Sequence, residues 1–220
     1  MKFSHKYALT IMALSMSMII AKTGMDYHNV EVNCATEVST ENWEIKSHIT
    51  TSGNVSEYTI KKVCKIIKTK VPSEAWNYLA NSGGRIIVVE GDDIKDYILS
   101  HYTCKKAKEV ENAIRGYCPY YKNKNGILKK VDIVIASDCL ESLEHEFYHA
   151  LDYSHNYSDK EEFKKLYENA DGNVIFKNES ARDYYMGDIE EFFAETARMF
   201  ANGELTGKYP ALEEYFSNIL

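Results

Sequence analysis

His145-Glu-Phe-Tyr-His149 matches the pattern H-E-x-x-H, and its flanks place it on a helix. Lys130-Val-Asp-Ile-Val-Ile-Ala136 ahead of it is an apolar, strand-like run. Asp138-Cys-Leu-Glu141 then has the spacing of a capping box, a helix start in which two side chains satisfy two backbone amides. On a helix, residues four apart stand one above the other, so the imidazoles of His145 and His149 converge on a single metal ion. Glu146 is turned by one residue toward the open side of that metal, where a general base stands to take a proton from water. Strand, cap and H-E-x-x-H helix form a coherent unit, and the chemistry it points to is hydrolysis assisted by one zinc ion.

Outward from the motif, the C-terminal part is predicted to be helical. The motif helix covers about 139–154. Ser158-Asp-Lys-Glu161 caps a helix to about Ala170, Asp188-Ile-Glu-Glu191 caps one to about Ala201, and Pro210 to Asn218 forms a last helix. Toward the N-terminus, Glu57 to Thr69 has apolar residues at helical spacing, and a short helix opens at Pro72. Arg85 to Glu90 is a strand, Asp93 to Tyr102 a short helix, and Lys108 to Tyr121 is ambiguous. Lys122 to Gly126 is a turn, followed by a strand over 128–136. A small mixed sheet lobe followed by a helical lobe, with the cleft between them, is a zincin-like α+β architecture. A peptide substrate is expected to add to the edge of strand 131–136 through main-chain hydrogen bonds.

Composition bounds the rest. Lys2 and Lys6 precede a nearly unbroken apolar or small run from Tyr7 to Ala21, which has the form of a secretory signal and is short for a transmembrane span. The expected organisation is a signal over 1–21, an irregular arm over 22–55 and a catalytic domain over 56–220, secreted and monomeric, with no stable membrane association after cleavage. The net charge of −7 argues against nucleic acid as a partner. Export permits disulfides among Cys34, Cys64, Cys104, Cys118 and Cys139, and Cys104 with Cys118 brackets a short loop. The sequence contains no C-x-x-C that would give zinc a cysteine ligand.

A catalytic zinc takes three protein ligands and keeps a fourth position open. Two residues compete for the third place. His155 gives H-E-x-x-H-x-x-D-x-x-H, one residue from the metzincin pattern, with Asp152 where the sharp exit from the helix calls for Gly and Met186 as a Met-turn residue. Glu191, in Glu190-Glu-Phe-Phe-Ala-Glu195, offers a carboxylate from a second helix. Glu195, one turn later, is placed to accept the Nδ1 proton of a ligand histidine.

His-Glu-Phe-Tyr-His-Ala-Leu-Asp152 together with Glu-Glu-Phe-Phe-Ala-Glu195 resembles the anthrax lethal factor-like catalytic domains, a family that includes the secreted Pro-Pro endopeptidases of Gram-positive bacteria. The resemblance covers roughly residues 84–220. It implies a zinc endopeptidase in which Glu191 is the third ligand beside His145 and His149, and Tyr184 (or its neighbour Tyr185) assists the tetrahedral intermediate. Residues 115–126 lack the tryptophan of the Pro-Pro enzymes' loop, so the resemblance does not carry a Pro-Pro preference with it. The expected partner is a protein or peptide substrate. The alternatives are a metzincin-type peptidase using His155 and a catalytically silent secreted binding protein on the same fold.

Overall fold

The computed structural model describes residues 40–102 and 114–220; the expected signal, the first part of the arm, Cys34 and Cys104 lie outside the described residues. The first half contains α1 (Thr40–Ser47), β1 (Ile49–Ser52), α2 (Glu57–Lys70), α3 (Ser73–Asn81), β2 (Ile86–Val89) and α4 (Ile94–His101). Then come β3 (Gly116–Tyr117), β4 (Tyr120–Lys122), β5 (Leu128–Val131) and β6 (Ile133–Ala136). The remainder is helical: α5 (Ser142–His155), α6 (Glu161–Glu168), α7 (Gly172–Ile175), α8 (Glu179–Tyr185), α9 (Ile189–Ala201) and α10 (Pro210–Ile219). The molecule is a mixed α+β structure, a small sheet followed by many helices.

The main sheet has the order β1-β2-β6-β3, with β1, β2 and β6 parallel and β3 antiparallel to β6. Ile86-Ile-Val-Val89 and Ile133-Val-Ile-Ala136 are buried at every position. An unbroken apolar run suits a parallel strand covered on both faces. Alternate residues divide accordingly. Ile86, Val88, Ile133 and Ile135 join the main core with α2, α3 and α5, whereas Ile87, Val89, Val134 and Ala136 meet Ile94 and Ile98 of α4. On the far side of α5, Phe163, Phe192, Phe193 and Phe216 pack edge-on and tilted around one another. This cluster seats α9 along the motif helix.

Several expectations are corrected. Residues 40–55 are not an irregular arm: they supply α1 and an outer strand, paired from Ile49↔Ile86 to Ser52↔Val89. The strand over 128–136 is two strands, broken at Asp132. That carboxylate is fully buried and accepts from the Arg85 amide (2.9 Å) and Lys130 Nζ (3.0 Å), and the chain passes there from the β4-β5 hairpin into the main sheet. β6 lies between β2 and β3, so it has no edge to offer a peptide; the edge on that side is β3. The capping box does not form. Glu141 already has helical φ (−63°) and makes no side-chain cap, and α5 begins at Ser142. Nor does Ser158 cap α6. Its amide (2.7 Å) and hydroxyl (2.6 Å) donate instead to the buried carboxylate of Asp152. Cys64 and Cys118 are buried thiols.

Candidate metal centre

Helix α5 carries His145, His149 and Tyr153 on one face, and α9 lies against it with Glu191 and Glu195 one turn apart. The α9 start is held by Asp188, whose side chain accepts from the Glu190 amide (2.9 Å). Its apolar Phe192, Phe193, Ala194 and Ala197 are fully buried, which turns the two acids toward α5. As a result His145 Nε2 lies 3.1 Å from Glu191 Oε2, His149 Nε2 lies 3.3 Å from the same oxygen, and the two Nε2 atoms are 3.1 Å apart. Among the described residues this is the group of His, Cys and acidic side chains whose ligand atoms converge closely enough to hold a metal ion.

The donor chemistry fits a divalent cation. His145 Nδ1 faces Glu195 Oε2 at 3.2 Å, and beside a carboxylate that nitrogen carries the proton and donates. Nε2 then presents a lone pair, aimed at another imidazole nitrogen and at a carboxylate oxygen. Lone pairs so arranged repel unless a proton or a metal sits among them. Tetrahedral bonds of about 2.0–2.1 Å set neighbouring donors about 3.3 Å apart, close to the spacing seen.

Protonation in the protein alone follows the same logic. Burial works against charge on His145, but hydrogen bonds to Glu191 and Glu195 outweigh it and raise its pKa to about 10. Burial likewise opposes charge on His149, and Glu191 reverses this to an upward shift. Burial also opposes ionisation of Glu191, yet His149 and His145 hold its carboxyl well below the usual range. Glu195 is lowered as well, because His145 and Arg198 outweigh its burial. Arg198 grips Glu195 with two bonds, Nη2 to Oε1 at 2.9 Å and Nε to Oε2 at 3.1 Å, and reaches Glu204 at 3.0 and 3.1 Å.

Glu146 is buried beside the two histidines. Burial pushes its carboxyl up to about 7, against the pull of His149 and His145. β3 crosses directly over it: a Cβ at Gly116 would overlap Glu146 Oε1 and stand 2.9 Å from its Cδ. Tyr184 lies close to Glu191. Burial first, and then that carboxylate, keep its phenol well above the usual range and therefore protonated. Tyr185 packs its ring on His145 at 5.8 Å and on Phe176 at 5.3 Å. Tyr184, not Tyr185, is thus the phenol nearer to Glu191 as a donor.

His155 is not part of this group. α5 runs through Asp152 and ends at Asn156, which takes the left-handed conformation (φ 52°). His155 therefore points elsewhere, pairing with Glu74 of α3 at 3.1 Å and stacking on Tyr157 at 5.0 Å. Met186 ends α8 and packs against the core. The arrangement also includes three residues that the motif alone did not select. Gly116 had a faint signal, since a glycine in a strand often marks a close approach. Arg198 stands three residues after Glu195, at pairing distance on a helix. Tyr153, four residues after His149, stacks on its ring at 5.9 Å and donates to Glu190 Oε2 at 3.2 Å.

No protein-family model and no curated protein matches the sequence. Among solved structures, the Pro-Pro endopeptidase of Paenibacillus alvei matches with a TM-score of 0.57 at 15% identity, over 80% of this chain and 100% of that one. The α+β fold described above is the fold shared with that Pro-Pro endopeptidase.

Proposed function

We propose that this chain is a secreted zinc-dependent endopeptidase of the lethal factor-like zincin group. The observation that carries the reading is the convergence of His145 Nε2, His149 Nε2 and Glu191 Oε2 within 3.1–3.3 Å, beside a buried glutamate whose carboxyl sits at about 7. These three side chains would hold the ion. When bound, zinc supplies a Lewis acid for the scissile carbonyl and makes water more acidic.

The protein's own groups do the rest. Glu146, with a carboxyl poised near neutral pH, takes the proton of the attacking water and returns it to the leaving amine. Tyr184 keeps its proton and donates a hydrogen bond to the oxygen on which negative charge develops. Glu195 fixes the tautomer and orientation of His145. The substrate backbone pairs with the outer edge of β3, the strand that passes over Glu146. Export is part of the proposal and rests on Lys2, Lys6 and the apolar run to Ala21. Among the described residues, no helix is long and apolar enough to cross a membrane. N-terminal sequencing of protein from the medium should begin near residue 22; cytosolic protein that keeps Met1 would contradict export.

Zinc content after dialysis, together with hydrolysis of a peptide library, tests the site. The wild type should carry one zinc per chain and lose turnover to phenanthroline. Glu191→Ala should lose the metal and His155→Ala should keep it. Glu146→Gln should keep the metal and lose turnover by roughly 10²–10⁴-fold. A zinc-free wild type, or hydrolysis that survives the chelator, sinks the reading.

A further inference from the structure

The run that begins over Glu146 does not end there. Residues 115–131, Arg-Gly-Tyr-Cys-Pro-Tyr-Tyr-Lys-Asn-Lys-Asn-Gly-Ile-Leu-Lys-Lys-Val, hold no Asp or Glu in a chain of net charge −7. They form β3 and then the β4-β5 hairpin, turned at Gly126 (φ 75°). Two of the cations pair with acids, Arg115 with Asp92 at 3.1 Å and Lys130 with Asp132 at 3.0 Å, and Lys122 Nζ lies over the Tyr120 ring at 4.9 Å. Lys122, Lys124 and Lys129 are exposed and meet no carboxylate within 4.0 Å among the described residues. Tyr120 and Tyr121 stand beside them at 43% and 42% exposure.

This basic face adjoins the metal centre through ring contacts. Tyr120 meets Tyr153 at 4.5 Å, and Tyr153 stacks on His149 at 5.9 Å. Between the hairpin and the end of α5 lies a cavity of about 280 Å³, walled by Lys122, Ile127, Leu128, Tyr153, Ser154 and Asn156, with no acid in its lining. Glu190 accepts a hydrogen bond from the Tyr153 hydroxyl at 3.2 Å. The volume accommodates a peptide side chain. Around it stand the Lys122 ammonium and the Asn156 carboxamide, which suit a carboxylate with an apolar stem; the Tyr153 hydroxyl already donates to Glu190 and the Ser154 hydroxyl to the Leu151 carbonyl.

We infer that the β4-β5 hairpin and this cavity bind an acidic stretch of the substrate beside the scissile bond, with Lys122 at the cavity and Lys124 and Lys129 outside it. This names the substrate class of the site just described and rests on its being a peptidase. An anionic membrane is the other partner with complementary charge. It is disfavoured because the cavity is sized for a side chain and adjoins a metal ligand, and because the molecule as a whole is acidic.

Cleavage-site profiling with a peptide library of equal residue frequencies tests this. Wild-type cuts should be enriched in Asp and Glu within a few positions on one side of the scissile bond. The preference for acidic over neutral peptides should fall roughly tenfold in Lys122→Gln/Lys124→Gln/Lys129→Gln, and reverse toward Lys and Arg in the corresponding triple Glu variant. Neutral or basic wild-type cuts, or a preference that survives in the triple Gln variant, overturn the inference and leave the peptidase reading intact. If the wild type cuts nothing, the peptidase reading fails, and binding judges the surface: a fluorescent Glu-rich peptide should bind zinc-loaded Glu146→Gln protein in a salt-sensitive manner. Its failure to bind overturns the surface too, as would binding only to phosphatidylserine vesicles.

Discussion

Glu146 and Gly116 show how much rests on single atoms at this site. A carboxylate as deeply buried as Glu146 resists ionisation, and two neighbouring imidazoles only partly offset that, which leaves it near 7. Its orientation is bounded by the bare backbone of β3 at Gly116. A methyl group there overlaps Glu146 Oε1, so the side chain has to rotate; the three atoms nearest to that methyl all belong to Glu146. Gly116→Ala should therefore retain zinc and lose turnover by about 10²-fold, the scale of a misplaced general base. Measuring kcat/KM beside zinc content checks this. Wild-type turnover in the alanine variant would mean that Glu146 is not held where the chemistry needs it.

At the scale of elements, the site is a contact between two helices. α5 presents His145, His149 and Tyr153 at four-residue steps; α9 presents Glu191, Glu195 and Arg198 at steps of four and three. These spacings put each set on one face, and the buried phenylalanines of α9 set its rotation. Arg198 completes the device. Its two-bonded grip leaves the Glu195 carboxylate one orientation, with Oε2 on His145 Nδ1. Arg198→Gln should weaken zinc binding by about 10–100-fold, and Arg198→Lys, which keeps the charge without the fork, by less. Competition with a chromophoric chelator reads the affinity, and melting in the presence of chelator reads the fold separately. A glutamine variant that melts lower but binds zinc like the wild type would make Arg198 a packing residue only.

For the whole molecule, the protonation of the centre is coupled to stability. His145 is raised from about 6.5 to about 10 in the metal-free fold, so its pairing stabilises fully below pH 6.5 and is lost as pH rises through 10. Glu191 and Glu195 are lowered, so their contribution is present above the usual glutamate pKa of about 4.3 and is lost as pH falls through their depressed values. Glu146, raised to about 7, subtracts stability as it ionises over the range up to 7. Zinc held as proposed would displace the His145 proton, so its grip should tighten with pH where the metal-free protein is weakening. The melting temperature of chelated protein should fall from pH 7 to 10, and the increment from added zinc should grow. A constant or shrinking zinc increment over that range would contradict the proton count at His145.

Local periodicity was enough to place the motif helix, its two histidines at one face, the buried strand 86–89, a strand ahead of the motif without its break, and the acid-bearing helix after Asp188, because helix and strand repeats are written in neighbouring residues. What depended on distant packing was not legible. Which of His155 and Glu191 stands beside the two histidines depended on the course of α5, which continues to His155; His155 pairs with Glu74, and Asp152 accepts from Ser158. The break at Asp132 came from charges contributed by Arg85 and Lys130, and the loss of an edge on β6 from pairing with Gly116 and Tyr117. The sequence by itself determined which residue types stand at which local spacing. Only the tertiary structure decided which of them meet, because a side chain's partner across a core is fixed by the packing of whole elements and not by its neighbours in the chain.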